Sequence, residues 1–163
     1  ITSVPRMPCS AARNFGSQDG YGWEVEASWT IIPGLELIGN MAWQKSTNTE
    51  TDADAANAPG QKVYVQANWE VTPNYGVNLQ ANWVMDRQRD SMDIRDDIGD
   101  YVLVDLALRR TNLWNQLEAA LIVKNLFDED AREPSPNGIP LPAIPDDLPL
   151  AGRSLVGEIR YKF

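Results

Sequence analysis

Seven stretches of about ten residues alternate apolar and polar side chains, and the last of them ends on an aromatic residue, Phe163. They fall near residues 20–31, 35–45, 61–71, 77–87, 100–110, 116–125 and 153–163. A period of two is the strand signal. A length of about 9–11 residues is what a tilted strand needs to cross the hydrocarbon of a bilayer. The pattern therefore predicts an all-β, antiparallel transmembrane β-barrel wall, with one face of every strand on lipid and the other on a polar lumen. No run of 18 apolar residues occurs, so a membrane-spanning helix is not expected.

The two faces separate cleanly along the sequence. Tyr21, Trp23, Val25, Ala27, Trp29 and Ile31 share one side of the first stretch, and Glu24, Glu26, Ser28 and Thr30 share the other. Val63, Val65, Ala67, Trp69 and Val71 alternate with Gln66, Asn68 and Glu70 in the third. Val77, Leu79, Ala81, Trp83 and Met85 alternate with Asn78, Gln80 and Asn82 in the fourth. Leu155, Gly157, Ile159, Tyr161 and Phe163 alternate with Ser154, Glu158, Arg160 and Lys162 in the last. Residues 1–19 lack this alternation and are expected to form a loop or a strand remnant.

A repeat of 40 residues underlies the pattern: Trp29 and Trp69 are that far apart, and so are Trp43 and Trp83. One hairpin plus one long loop makes the unit. Connections at 32–34, 72–76 and 111–115 are short, whereas those at 46–60, 88–99 and 126–152 are long. Outer-membrane barrels have short periplasmic turns and longer extracellular loops. On that basis Trp29 and Trp69 form a periplasmic aromatic girdle, and Tyr21, Trp23, Trp43 and Trp83 an outer one. The six Trp and five Tyr, against three Phe, suit such interfaces.

Composition excludes several alternatives. The absence of histidine removes His-based catalytic triads and His-ligated zinc or haem. A net charge of −9 disfavours duplex nucleic acid as a partner. Cys9 is the only cysteine and forms no internal disulfide. The chain opens at Ile1 without a signal-peptide pattern and reads as processed, truncated or cut from something longer.

The most specific residues lie near the end. Val123-Lys-Asn-Leu-Phe-Asp-Glu-Asp-Ala-Arg-Glu-Pro134 is followed by a Pro-rich loop, then Leu148-Pro-Leu-Ala-Gly-Arg-Ser154 and the last strand. This resembles the carboxy-terminal part of the TonB-dependent outer-membrane receptors, whose barrels often show V-x-N-L-F-D and then P-G-R; here Ala151 stands where that proline would be. Gly22-Trp-Glu-Val-Glu26 and Pro33-Gly34-Leu35 are similar to the family's strand and turn patterns. The resemblance covers about residues 20–163. It implies the last seven strands of a 22-stranded barrel, with an amino-terminal plug, the remaining barrel and the TonB-contacting segment lying outside this sequence. It further implies import of a scarce nutrient, most often a ferric siderophore, in the bacterial outer membrane. Ile159, Tyr161 and Phe163 resemble the signal read by the barrel-assembly machinery. Lipid and lipopolysaccharide are the expected surroundings.

No catalytic residue, cofactor or metal site is expected. Acidic loop residues (Glu50, Asp52, Asp54, Asp90, Asp93, Asp96, Asp97, Asp128, Glu129, Asp130, Glu133, Asp146, Asp147) outnumber Arg89, Arg95 and Arg132. They are expected to be solvated surface rather than a cation site, since none has EF-hand spacing. The lumen polar residues are expected to form a hydrogen-bonded wall, with Asp105–Arg109 or Glu118–Lys124 as candidate ion pairs. Two other readings remain at this point: a complete eight-stranded anchor or adhesin, and a soluble lipocalin-like carrier whose apolar faces pack together inside.

Overall fold

The computed structural model describes residues 17–50, 52–89, 93–114, 116–136, 144 and 146–162. Every regular element among them is a strand: β1 (Gln18–Ile32), β2 (Leu35–Asn48), β3 (Pro59–Thr72), β4 (Tyr75–Arg87), β5 (Tyr101–Leu113), β6 (Leu117–Lys124), β7 (Arg132–Glu133), β8 (Leu148–Pro149) and β9 (Ser154–Tyr161). Seven of them form one antiparallel sheet in the order β1-β2-β3-β4-β5-β6-β9, and β7 pairs with β8 in a small ribbon of its own. The sheet is a meander: each strand returns antiparallel beside the one before it, by a short turn at one end and a long loop at the other.

Register decides which side chains share a face. Trp23 lies opposite Trp43, Met41 opposite Val63, Ala67 opposite Leu79, Leu79 opposite Leu106, Leu108 opposite Leu121, and Ala119 opposite Ile159. The apolar face thus runs without a break across all seven strands. A slip of one residue at any pairing would send it to the wrong side.

That face is uncovered. Val65, Leu79, Leu121 and Ile159 are 45%, 42%, 42% and 77% exposed, and the only buried apolar residues among those described are Ile98, Tyr101 and Ala131, in or beside the loops. The lipocalin-like reading required these residues to pack against one another, and they do not. A continuous, bare apolar sheet face suits hydrocarbon as its solvent.

Several boundaries differ from the sequence reading. β1 begins at Gln18 and β2 runs to Asn48, so the first hairpin extends beyond the apolar band. β5 continues through residues 111–113, expected to be turn, by way of a bulge between Arg110 and Leu113. The β7–β8 ribbon inside the long loop had no alternating pattern to announce it. Residues 1–16, including Cys9, lie outside the described residues, as does Phe163.

Turn chemistry explains one local feature. Gly34 has φ +85°, and a Cβ there would stand 3.0 Å from the Glu70 carbonyl oxygen. Glycine takes that conformation without strain and, lacking a Cβ, admits so close a neighbour. The Gly34 carbonyl accepts from the Glu70 amide at 2.7 Å, tying the first turn to β3.

The face assignment makes a quantitative forecast for the intact protein. Leu79→Arg places a cation mid-strand on the lipid side and should lower stability by about 2–4 kcal/mol in denaturant unfolding from lipid vesicles. Ser28→Lys, at an exposed position on the other face, should change it little. Equal costs would contradict the assignment of faces.

Candidate functional site

The polar face is a connected hydrogen-bond wall. Asn40 donates to Glu24 at 2.6 Å across β1 and β2. Asn78 Nδ2 and Gln66 Nε2 both donate to Asn68 Oδ1, at 2.6 and 2.7 Å. The Tyr64 hydroxyl lies between the side-chain oxygens of Gln66 and Gln80, 3.1 Å from the latter. Gln80 donates onward to Asp105 at 3.2 Å. Amides dominate here because each both donates and accepts, so a chain of them leaves few polar atoms stranded.

The expected ion pairs Asp105–Arg109 and Glu118–Lys124 do not form among the described residues. Residues four or six apart along one strand stand more than about 12 Å apart. The partners come from neighbouring strands instead. Asp105 accepts from Gln80 and, at 2.8 Å, from the Asn125 backbone amide. Glu118 pairs with Lys162 and lies 3.9 Å from Arg160.

At the end of the sheet bearing the long loops, two loops lock together. Asp147 accepts from both terminal nitrogens of Arg89, one at 2.9 Å, and from the Ser135 amide at 3.1 Å; Arg95 approaches it at 3.4 Å. Arg95 also grips Asp93 through Nε at 2.9 Å and donates to Ser135 Oγ at 2.8 Å. Beside this latch, Arg87 and Tyr101 both donate to Glu133, at 2.6 and 2.8 Å, so β7 is docked on the ends of β4 and β5. The expectation of solvated acidic loops is therefore corrected for Asp93 and Asp147, whose side chains are only 5% and 10% exposed. A charge can be buried in this way when opposite charges and an amide surround it. The hydrogen bond from Arg89 holds the Asp147 carboxyl far below the usual range, and that from Arg95 holds Asp93 down to about 2.

The Asn125–Asp128 segment has a role that its sequence did not disclose. Asn125, buried and at φ +50°, donates through its side chain to the carbonyls of Glu129 (2.9 Å) and Ala151 (3.2 Å) and accepts from the Glu129 amide (2.8 Å). Asp128 accepts from the Arg153 amide at 2.8 Å. Together they clamp the exit of β6 to the entry of β9, closing the root of the loop of residues 125–153. The signal available in the sequence was the residue type: Asn and Asp tolerate positive φ and bond to nearby backbone.

The aromatic residues sit where the repeat puts them. Trp29 and Trp69 each precede their turn prolines, Pro33 and Pro73, by four residues, and both are exposed. Tyr21, Trp23 and Trp43 gather at the other end of the first hairpin, with the Tyr21 and Trp43 rings 5.6 Å apart; Trp83 lies opposite Val63 at the same end of β3 and β4. Ile159 and Tyr161 lie on the apolar face, opposite Ala119 and Leu117. Among the described residues, no group of three or more Cys, Asp or Glu could hold a metal.

A single antiparallel meander, bare and apolar outside and polar within, with short turns at one end and locked loops at the other, is the wall of a membrane barrel. Residues 9–138 match the outer membrane protein beta-barrel family. The chain belongs to that family. It is accordingly a β-barrel component of the bacterial outer membrane. No curated protein matches the sequence. Among solved structures, it superposes on the copper transporter OprC with a TM-score of 0.70 and 15% identity, covering 91% of this chain and 24% of that one. It also superposes on the closed form of the ferric-catecholate import receptor Fiu from E. coli K12, with a TM-score of 0.72 and 18% identity, covering 91% of this chain and 22% of that one. At such identities the likeness is one of fold. The chain spans about a quarter of the length of these two proteins, and its sheet is not closed into a ring.

The latch has a definite pH response. Both carboxylates titrate lower when folded than when free, so their stabilisation is complete above about pH 4 and is lost as pH falls toward 2. Protease cleavage within residues 88–100 and 125–153 should therefore rise over that interval with an acid-active protease. Asp147→Asn should produce the same opening at neutral pH, by about 2–3 kcal/mol, because two guanidiniums lose their shared anion. The barrel's heat-modifiable gel shift should stay unchanged.

Proposed function

We propose that this chain is the carboxy-terminal barrel part of a TonB-dependent outer-membrane receptor that imports a scarce nutrient, with a ferric siderophore as the first substrate class to test. The observation that carries the reading is the clamp built by Asn125 and Asp128, which gives a structural purpose to the residues most similar to that receptor family. The superposition on two larger proteins supports it, one a copper transporter and one a ferric-catecholate import receptor. In this reading the polar wall faces a plug, the remaining barrel strands complete the ring, and TonB engages the protein through segments outside this sequence. Ile159, Tyr161 and Phe163 serve the barrel-assembly machinery, and the Trp and Tyr girdles seat the wall between lipopolysaccharide and the periplasmic leaflet. The chain's part is structural and conductive, with no enzymatic step.

The alternative of an eight-stranded anchor requires the sheet to curl tightly. The overlay on two much longer chains across 91% of this one supports the gentler curvature.

Uptake decides the matter. The intact protein, expressed in a host lacking its own siderophore receptors, should accumulate radiolabelled iron from a ferric catecholate. Accumulation should stop when TonB is deleted or the proton-motive force is collapsed. Uptake that persists without TonB would overturn the receptor reading. TonB-dependent uptake of copper but not iron would keep the reading and replace the substrate.

A further inference from the structure

The apolar face carries one cation at a position where the repeat elsewhere places tryptophan. Trp29 and Trp69 stand four residues before Pro33 and Pro73, the first residues of their turns. The third short turn begins at Trp114, and the residue four before it is Arg110. Its register is unambiguous: Arg110 lies opposite Tyr75 on β4 and Ala119 on β6, both on the apolar face. Its guanidinium carbon sits 5.0 Å from the centre of the Tyr75 ring. Arg110 and Tyr75 are both exposed.

Among the described residues no acid pairs with this charge. The residues flanking Arg110 on its face are Tyr75, Leu108 and Ala119, and the guanidinium rests on the Tyr75 ring. The contrast with the opposite rim is informative. There the cation on the same face, Lys45, has Asp54 at 3.5 Å. Arg109, the adjacent residue, belongs to the lumen face, so the two consecutive arginines are not equivalent.

An unpaired guanidinium on a lipid-facing strand is costly within hydrocarbon. At the depth of the interfacial aromatics it meets headgroups instead. With short turns on the periplasmic side, that depth is the periplasmic leaflet, whose anionic group at the level of the girdle is the glycerophospholipid phosphate. A guanidinium presents paired N–H donors that match phosphate oxygens, and stacking on an aromatic ring fixes its plane.

We propose that Arg110, oriented by Tyr75, binds the phosphate of a glycerophospholipid in the periplasmic leaflet. The site rests on the membrane orientation and not on the import reading, so uptake can fail while lipid retention survives.

Native mass spectrometry of the intact protein with added phosphatidylglycerol tests the site. Arg110→Trp installs the residue that the other two hairpins carry, and its folding is checked by heat-modifiability. The wild type should retain one tightly held phosphatidylglycerol more than this variant, with affinity for it falling about tenfold on substitution. Tyr75→Leu should weaken retention less, because it frees the guanidinium without removing it. Arg110→Gln is the second variant, should the tryptophan disturb folding. Equal retention by the wild type and a folded Arg110 variant would overturn the proposal. So would displacement of the lipid by inorganic phosphate at equal concentration, which would mark a site for free anions.

Discussion

In hydrocarbon a backbone amide has no partner except another strand, and this requirement governs everything else in the molecule. Seven strands in meander satisfy it for one another in the interior of the sheet. They leave two borders, the outer side of β1 and the outer side of β9. Because the count is odd, these two strands run in the same direction. Joining them directly would produce a parallel pair, so antiparallel closure needs an odd number of further strands. A seven-stranded wall of this kind is one arc of a ring.

The outer and inner faces then obey different rules. Outside, the side chains need only be apolar and continuous, and the pairing of Met41 with Val63 or Leu79 with Leu106 requires no interlocking shape. Inside, the amides of Gln66, Asn68, Asn78 and Gln80 hold one another in place. The stiffness of the wall resides in its polar side, the reverse of a water-soluble sheet, whose rigidity comes from a packed apolar interior.

Strand positions and faces were legible in the sequence because each depends on a local period. The turns at Pro33 and Pro73 announced themselves through residue type. What depends on distant residues was not legible. The pairing of Arg89 with Asp147 joins positions 58 residues apart, and nothing near either residue hints at the other. The β7–β8 ribbon is two residues on each side, too short to show a period. The lumen ion pairs were misjudged because charges were matched along the chain, whereas a sheet brings together charges on adjacent strands.

The clamp at Asn125 and Asp128 separates two design problems. It fixes the points where the chain leaves β6 and enters β9. Between the residues that dock on the sheet, Glu133 on Arg87 and Tyr101 and Asp147 on Arg89, the chain can be lengthened, shortened or rewritten without disturbing the strands that carry it. The tip of the segment becomes an exchangeable cassette: its sequence can drift while the barrel inherits none of the strain.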